Sequence, residues 1–138
     1  MSHQLQTYQV RLAESRQELL TLLQSLTPEQ WQTTVFSDAD WTVNTLVAHL
    51  IDSERGMSIQ IHKTRKGEET VPEGFDLARW NAGVRKRMGE LSTEQLFELL
   101  EKTRARTLEG MATLTDAEWS LTGRHPAEGI VTIEQYYQ

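Results

Sequence analysis

The chain has 138 residues, no cysteine, and 14 Lys plus Arg against 20 Asp plus Glu, a formal net charge of −6. That length suits one domain over residues 1–138, and 38% hydrophobic residues suffice for a core of ordinary size. The absence of cysteine excludes disulfides, thiolate metal sites and cysteine nucleophiles. The acidic balance disfavours a nucleic-acid partner, and neither a membrane-length apolar run nor a signal-peptide core is present, so a cytoplasmic protein is expected.

Leu5, Tyr8, Leu12, Ser15, Leu19, Leu22 and Leu26 recur at steps of three and four, which predicts a first helix with these residues on one stripe. Ser15 reads as a small residue that lets another helix approach, because no base lies near it to make it a nucleophile. "LTPEQW" stops this helix and starts a short one, with Thr27 as N-cap, Pro28 at the first position and Gln30 completing a capping box. The same device recurs in "LSTEQL", Leu91 to Leu96, and with an acidic partner in "LTDAEW", Leu114 to Trp119.

A second long helix is predicted from about Thr42 to about His62, burying Val43, Leu46, Val47, Leu50, Met57 and Ile61. "KTRKGEETVPEGF" is a loop. Its basic cluster, His62, Lys63, Arg65 and Lys66, runs directly into Glu68 and Glu69 and reads as a solvated connector. "FDLARWNAGVRKRMGEL" predicts a shorter helix capped by Asp76, with Leu77, Trp80, Val84, Met88 and Leu91 at helical spacing and Arg85, Lys86 and Arg87 toward water.

A third long helix follows from Ser92, with Leu96, Leu99, Leu100, Thr103, Thr107, Met111 and Leu114 as its apolar stripe, and is expected to pack on both earlier long helices. "EWSLTGRHPAEGI" reads as a loop because of Gly123, Pro126 and Gly129. "TIEQYYQ" then opens a helix at Thr132 with Glu134 and Gln135 behind the cap, and the chain ends soon after. So short a helix is poorly stable alone, so the expectation is a truncated version of a longer protein.

Within "WTVNTLVAHLIDSERGM", a helical wheel of about 100° per residue puts Glu54 near the middle of the apolar stripe and His49 at its edge, beside Leu46 and Ser53. A buried carboxylate must meet a cation or titrate upward, and Arg104 is the candidate partner. A structural ion pair is the first reading of Glu54; a general acid or base beside a ligand is the alternative. For His49 the alternatives are a flank histidine bonded to a protein group and a metal ligand in a pocket between helices. His3 lies at the frayed start and His62 at a helix end, while His125, before Pro126, reads as a turn residue near Trp119 sooner than as part of a pocket mouth.

The order of "DADWTVNTLVAHLIDSERGM", "FDLARWN", "TLTDAEW" and "GRHPAEGIVTIEQYY" resembles the DinB/YfiT-like superfamily over nearly the whole chain. The resemblance implies an all-α, DinB-like four-helix bundle with crossover connections, its fourth helix cut short here. It further implies a divalent metal of the Zn or Ni type held by three side chains, with His49 matching the first ligand. The other two, commonly a His-x-x-x-His pair, belong on the fourth helix, which would begin at Thr132.

The activities implied are metal-dependent: thiol S-transfer, maleylpyruvate isomerisation or hydrolysis of a small-molecule substrate, with a low-molecular-weight thiol as one candidate. A metal there would present a thiol or water as a nucleophile at neutral pH. The competing expectation is a non-catalytic helical module, dimeric to cover the face a missing helix would leave, in which His49 and Glu54 are structural. Nucleic-acid binding through "HKTRK" and "RKR" ranks last.

Overall fold

The computed structural model describes residues 2–36 and 40–138. Asp38 and Ala39, which open the quoted "DADWTV" motif, lie outside the described residues, as does Met1 of the expected domain. Helix α1 spans Ser2–Gln24, α2 Pro28–Trp31, α3 Val43–Arg65, α4 Leu77–Ala82, α5 Val84–Met88, α6 Thr93–Ala112 and α7 Ile133–Tyr136. Strands β1, Thr34–Phe36, and β2, Trp41–Thr42, form one small antiparallel pair; β3, Thr122–His125, and β4, Gly129–Thr132, form another. The chain is therefore mainly α, built on the long helices α1, α3 and α6, with α7 a single turn.

The helix starts follow the local chemistry. In α2, α6 and α7 the caps Thr27, Ser92 and Thr132 accept from the backbone N–H of Gln30, Gln95 and Gln135, and each glutamine side chain accepts from its cap's backbone N–H. Thr42 caps α3 by accepting from Thr45 N–H at 3.3 Å, and Asp76 caps α4 by accepting from Arg79 N–H at 3.0 Å. The carboxylate of Glu118 accepts from Thr115 N–H at 2.9 Å, which starts a 3₁₀ turn over Asp116–Ser120. Such caps satisfy N–H groups that a helix leaves orphaned.

Helix α6 packs against both α3 and α1, as its stripe predicts. The core between them has two apolar lobes. One gathers Leu20, Leu23, Trp31, Val47, Ala48, Ile51, Val84, Leu96 and Leu100; the other gathers Tyr8, Ile61, Met111, Leu114, Trp119, Ile133 and Tyr137. On α1 the two groups are separated by Arg16, on α3 by Glu54, and on α6 by Thr103, Arg104 and Thr107, so a polar layer crosses the bundle between them.

Several expectations are corrected. On α3, Ile51 is 1% exposed, while Leu50, expected inside, is 39% exposed. On α1, Leu22 is 59% exposed and Ser15 faces out; Arg16 is the residue that turns inward, because its guanidinium has a buried carboxylate to meet. The single helix expected after Asp76 breaks into α4 and α5 at Gly83, where a Cβ would stand 2.9 Å from Arg87 Nη1. The segment read as a loop around Gly123 is the β3–β4 hairpin. A Cβ at Gly123 would meet Thr64 Oγ1 at 2.3 Å, so this glycine lets the hairpin lie directly on α3.

Candidate functional site

Helix α3 presents two polar groups to two surroundings. Toward α1 and α6 it sends Glu54, whose Oε1 accepts from Arg16 Nη2 at 2.7 Å and Arg104 Nη2 at 2.9 Å. Its Oε2 accepts from Arg104 Nε at 2.9 Å and Thr107 Oγ1 at 2.6 Å. Burial pushes the Glu54 carboxyl up, but the hydrogen bonds from Arg104 and Thr107 and the two arginine charges prevail, and it is held below the ordinary carboxylate range. Arg104 is the partner expected from sequence; Arg16 and Thr107 are additions. Arg16 Nη1 also donates to Leu100 O and Arg104 Nη1 to Leu12 O, while Arg16 Nε is buried without a hydrogen-bond partner among the described residues.

A carboxylate so saturated has no lone pair directed at a substrate. The void beside it measures about 90 Å³, small against the roughly 300–1,000 Å³ of ligand sites. Glu54 is a structural ion-pair centre, and the acid–base alternative has no geometry to support it.

The other polar group faces a cavity of about 410 Å³. His49, Asp52, Ser53, Met57 and Gln60 line it from α3, recurring on one side of the helix at spacings of three, four and seven to eight. Val71 and Phe75 come from the α3–α4 connector; Leu77, Trp80 and Asn81 come from α4; His125 and Pro126 come from the end of β3. The hairpin and the connector thus close against α3 across a mostly apolar space, the composition expected of a small-molecule site.

His49 is half-buried at this wall, its ring 5.1 Å from that of Trp41, which β1 and β2 hold in place. Nε2 lies 3.5 Å from Ser53 Oγ, and Nδ1 is buried with no hydrogen-bond partner among the described residues. Burial lowers the His49 pKa, Asp52 raises it and Arg87 lowers it; the net shift is downward, so the ring is neutral at neutral pH. Asp52 is itself paired, accepting from Arg87 Nη2 at 2.6 Å, and Arg87 also stacks 3.7 Å over the Trp80 ring and bonds Trp80 O. Arg87 is exposed, as expected, and its guanidinium is held against Trp80 and Asp52 at the edge of the cavity wall.

His125 is the residue that sequence reasoning undervalued. It lines the cavity with its ring 5.3 Å from Tyr136, and its Nδ1 accepts from Ala127 N–H at 3.0 Å and Glu128 N–H at 3.1 Å. The signal was "RHPAEG", in which a side-chain acceptor precedes a proline turn that Gly129 closes at φ 77°. Burial lowers the His125 pKa against an opposing contribution from Glu128. His62 is exposed on the last turn of α3 and His3 on the first turn of α1, both away from this cavity's lining.

As a metal centre the described residues are incomplete. One imidazole with an unpartnered nitrogen fits a single ligand position, but no group of three or more His, Asp or Glu is placed to hold an ion among the described residues. No helix among them is long and apolar enough to cross a membrane. No curated protein and no solved structure matches the chain. The family model of the DinB superfamily matches residues 11–138, a span that contains the polar layer, His49 and the His125 hairpin, and the chain belongs to the DinB superfamily.

Proposed function

We propose that the protein is a metal-dependent enzyme of the hydrolase or thiol S-transferase class that acts on a small molecule in the α3 cavity, with His49 as one ligand of a divalent ion. The observation that carries this reading is the contrast at His49: a neutral imidazole on the cavity wall whose enclosed Nδ1 no group among the described residues satisfies. Buried polar atoms in native proteins are nearly all paired; of the two orphaned among the described residues, Arg16 Nε and His49 Nδ1, only the second belongs to a residue that lines this cavity. An ion bound there would lower the pKa of a coordinated water or thiol. Since the described residues provide one ligand only, no reaction step is drawn through that ion. The chain's own part is to bind the molecule in an apolar space, keep water from it and hold the imidazole against Trp41.

Equilibrium dialysis with Zn²⁺ or Ni²⁺ at pH 7.5 tests the reading. Uptake of about one ion per chain, lost in His49→Ala, supports it. Equal uptake by both proteins places any ion elsewhere. Absence of uptake in both favours the second reading, a helical module that binds a small molecule without catalysis, for which the purely structural role of Glu54 already speaks.

A further inference from the structure

Charge is the first constraint on what the cavity can hold. Its lining includes no Lys or Arg, and its one carboxylate, Asp52, is taken by Arg87 at 2.6 Å. A charged organic molecule entering would lose its hydration without meeting a free opposite charge on the chain's own side chains, which is costly. The apolar walls, with the Phe75 and Trp80 rings 6.1 Å apart at 52°, instead suit an uncharged, flat hydrocarbon body.

The second constraint comes from the polar groups that remain. Gln60 Oε1 already accepts from Tyr136 Oη at 2.9 Å, and Thr70 Oγ1 already donates to Arg124 O at 2.7 Å, while Gln60 Nε2 and the Asn81 side-chain amide are bonded to no other described group. His125 differs. Two backbone N–H groups point at its Nδ1, so that nitrogen must carry a lone pair, and the neutral ring must carry its proton on Nε2. The hairpin turn thereby fixes a tautomer and leaves one N–H donor on a ring that lines the cavity.

We infer that the cavity binds an uncharged, largely aromatic or aliphatic molecule bearing a carbonyl-type acceptor, and that His125 Nε2–H donates to that acceptor. His125 is thus a specificity-determining residue, distinct from His49, whose Nδ1 nothing fixes. Burial of the imidazole supports the neutral form. The inference rests on the reading of this cavity as the ligand site.

The test uses acetophenone, its methylene isostere α-methylstyrene and the anion benzoate as probes, with binding read from ¹H–¹⁵N shifts. Wild type should bind acetophenone about tenfold more tightly than either of the other two, and His125→Phe should level acetophenone with α-methylstyrene. Met57→Trp, which fills the cavity, should lose all three. Independently of any probe, long-range ¹H–¹⁵N spectra of the imidazoles at pH 7.5 should show the Nε2–H tautomer for His125.

An Nδ1–H tautomer, equal affinity of wild type for ketone and alkene, or preferential binding of benzoate would overturn the His125 assignment while leaving the cavity a ligand site. Failure of all three probes to perturb wild type, or perturbation that survives Met57→Trp, would overturn the cavity reading itself.

Discussion

Glu54 and His49 sit on the same helix and meet opposite surroundings. The carboxylate is enclosed by two guanidiniums and a hydroxyl that satisfy both of its oxygens. The imidazole is half-buried against Trp41 with one nitrogen orphaned and a cavity in front of it. Burial alone therefore does not distinguish the two polar residues on α3. What differs is the acceptor itself: both Glu54 oxygens are filled, as suits a group that holds helices together, whereas the imidazole keeps an unfilled position beside a cavity. Arg16 Nε in the Glu54 layer is also left without a partner among the described residues.

The comparison can be broken most forcefully at its saturated end. Glu54→Ala strands Arg16 and Arg104 in the polar layer and should cost about 3–5 kcal/mol, read from urea unfolding. Replacing the layer as a unit, Arg16→Met with Glu54→Leu and Arg104→Met, should recover most of that loss, because no uncompensated charge remains. A triple variant as unstable as Glu54→Ala would show that the layer does more than compensate itself. Thr107→Val removes one donor to the carboxylate and should cost less, about 1.5–3 kcal/mol by the same measurement.

This contrast was only partly visible in the sequence. Heptad-like spacing marked α1, α3 and α6, and the Thr-x-x-Gln and Ser-x-x-Gln boxes placed the starts of α2, α6 and α7 because capping is local chemistry. Arg104 was legible as the partner of Glu54, since a buried carboxylate needs a cation on a facing stripe. Arg16 was not: it stands in the polar run "ESRQE", which reads as a solvent face, and only the packing of three helices shows that the position turns inward. The rotation of α3 that buries Ile51 and exposes Leu50 depends likewise on where α5 and α6 press on it.

At the site the division runs the same way. His49 stood out as a histidine at the edge of an apolar stripe, and its resemblance to a family ligand position named it. The turn at His125 is local and legible in "RHPAEG", but its place beside α3, like the Asp52–Arg87 pair between α3 and α5, comes from long-range contacts that no local pattern encodes. The β3–β4 hairpin itself was hidden because its strands are short and its Gly123 looks like a loop residue until the approach to Thr64 is known.

Acid sharpens the comparison through linkage. The Glu54 pKa lies below its ordinary 4.5 in the folded chain, so its contribution is full above that value and is lost as pH falls through the lower folded pKa. His49 and His125 are also lowered, from 6.5; the unfolded chain then binds more protons below that value, and stability begins to fall as pH drops from 6.5. Unfolding free energy measured from pH 7.5 to 3 should show both steps. The earlier one should shrink in His49→Leu, and the later one should shrink in the triple variant.

The smallest effect is the most direct test. If the His49 imidazole serves a ligand and not the fold, urea unfolding of His49→Leu at pH 7.5 should give a stability equal to wild type or up to about 1 kcal/mol higher, since an apolar side chain removes an unsatisfied nitrogen. A loss of more than about 2 kcal/mol would mean that the ring is as structural as Glu54, and would contradict the division between them.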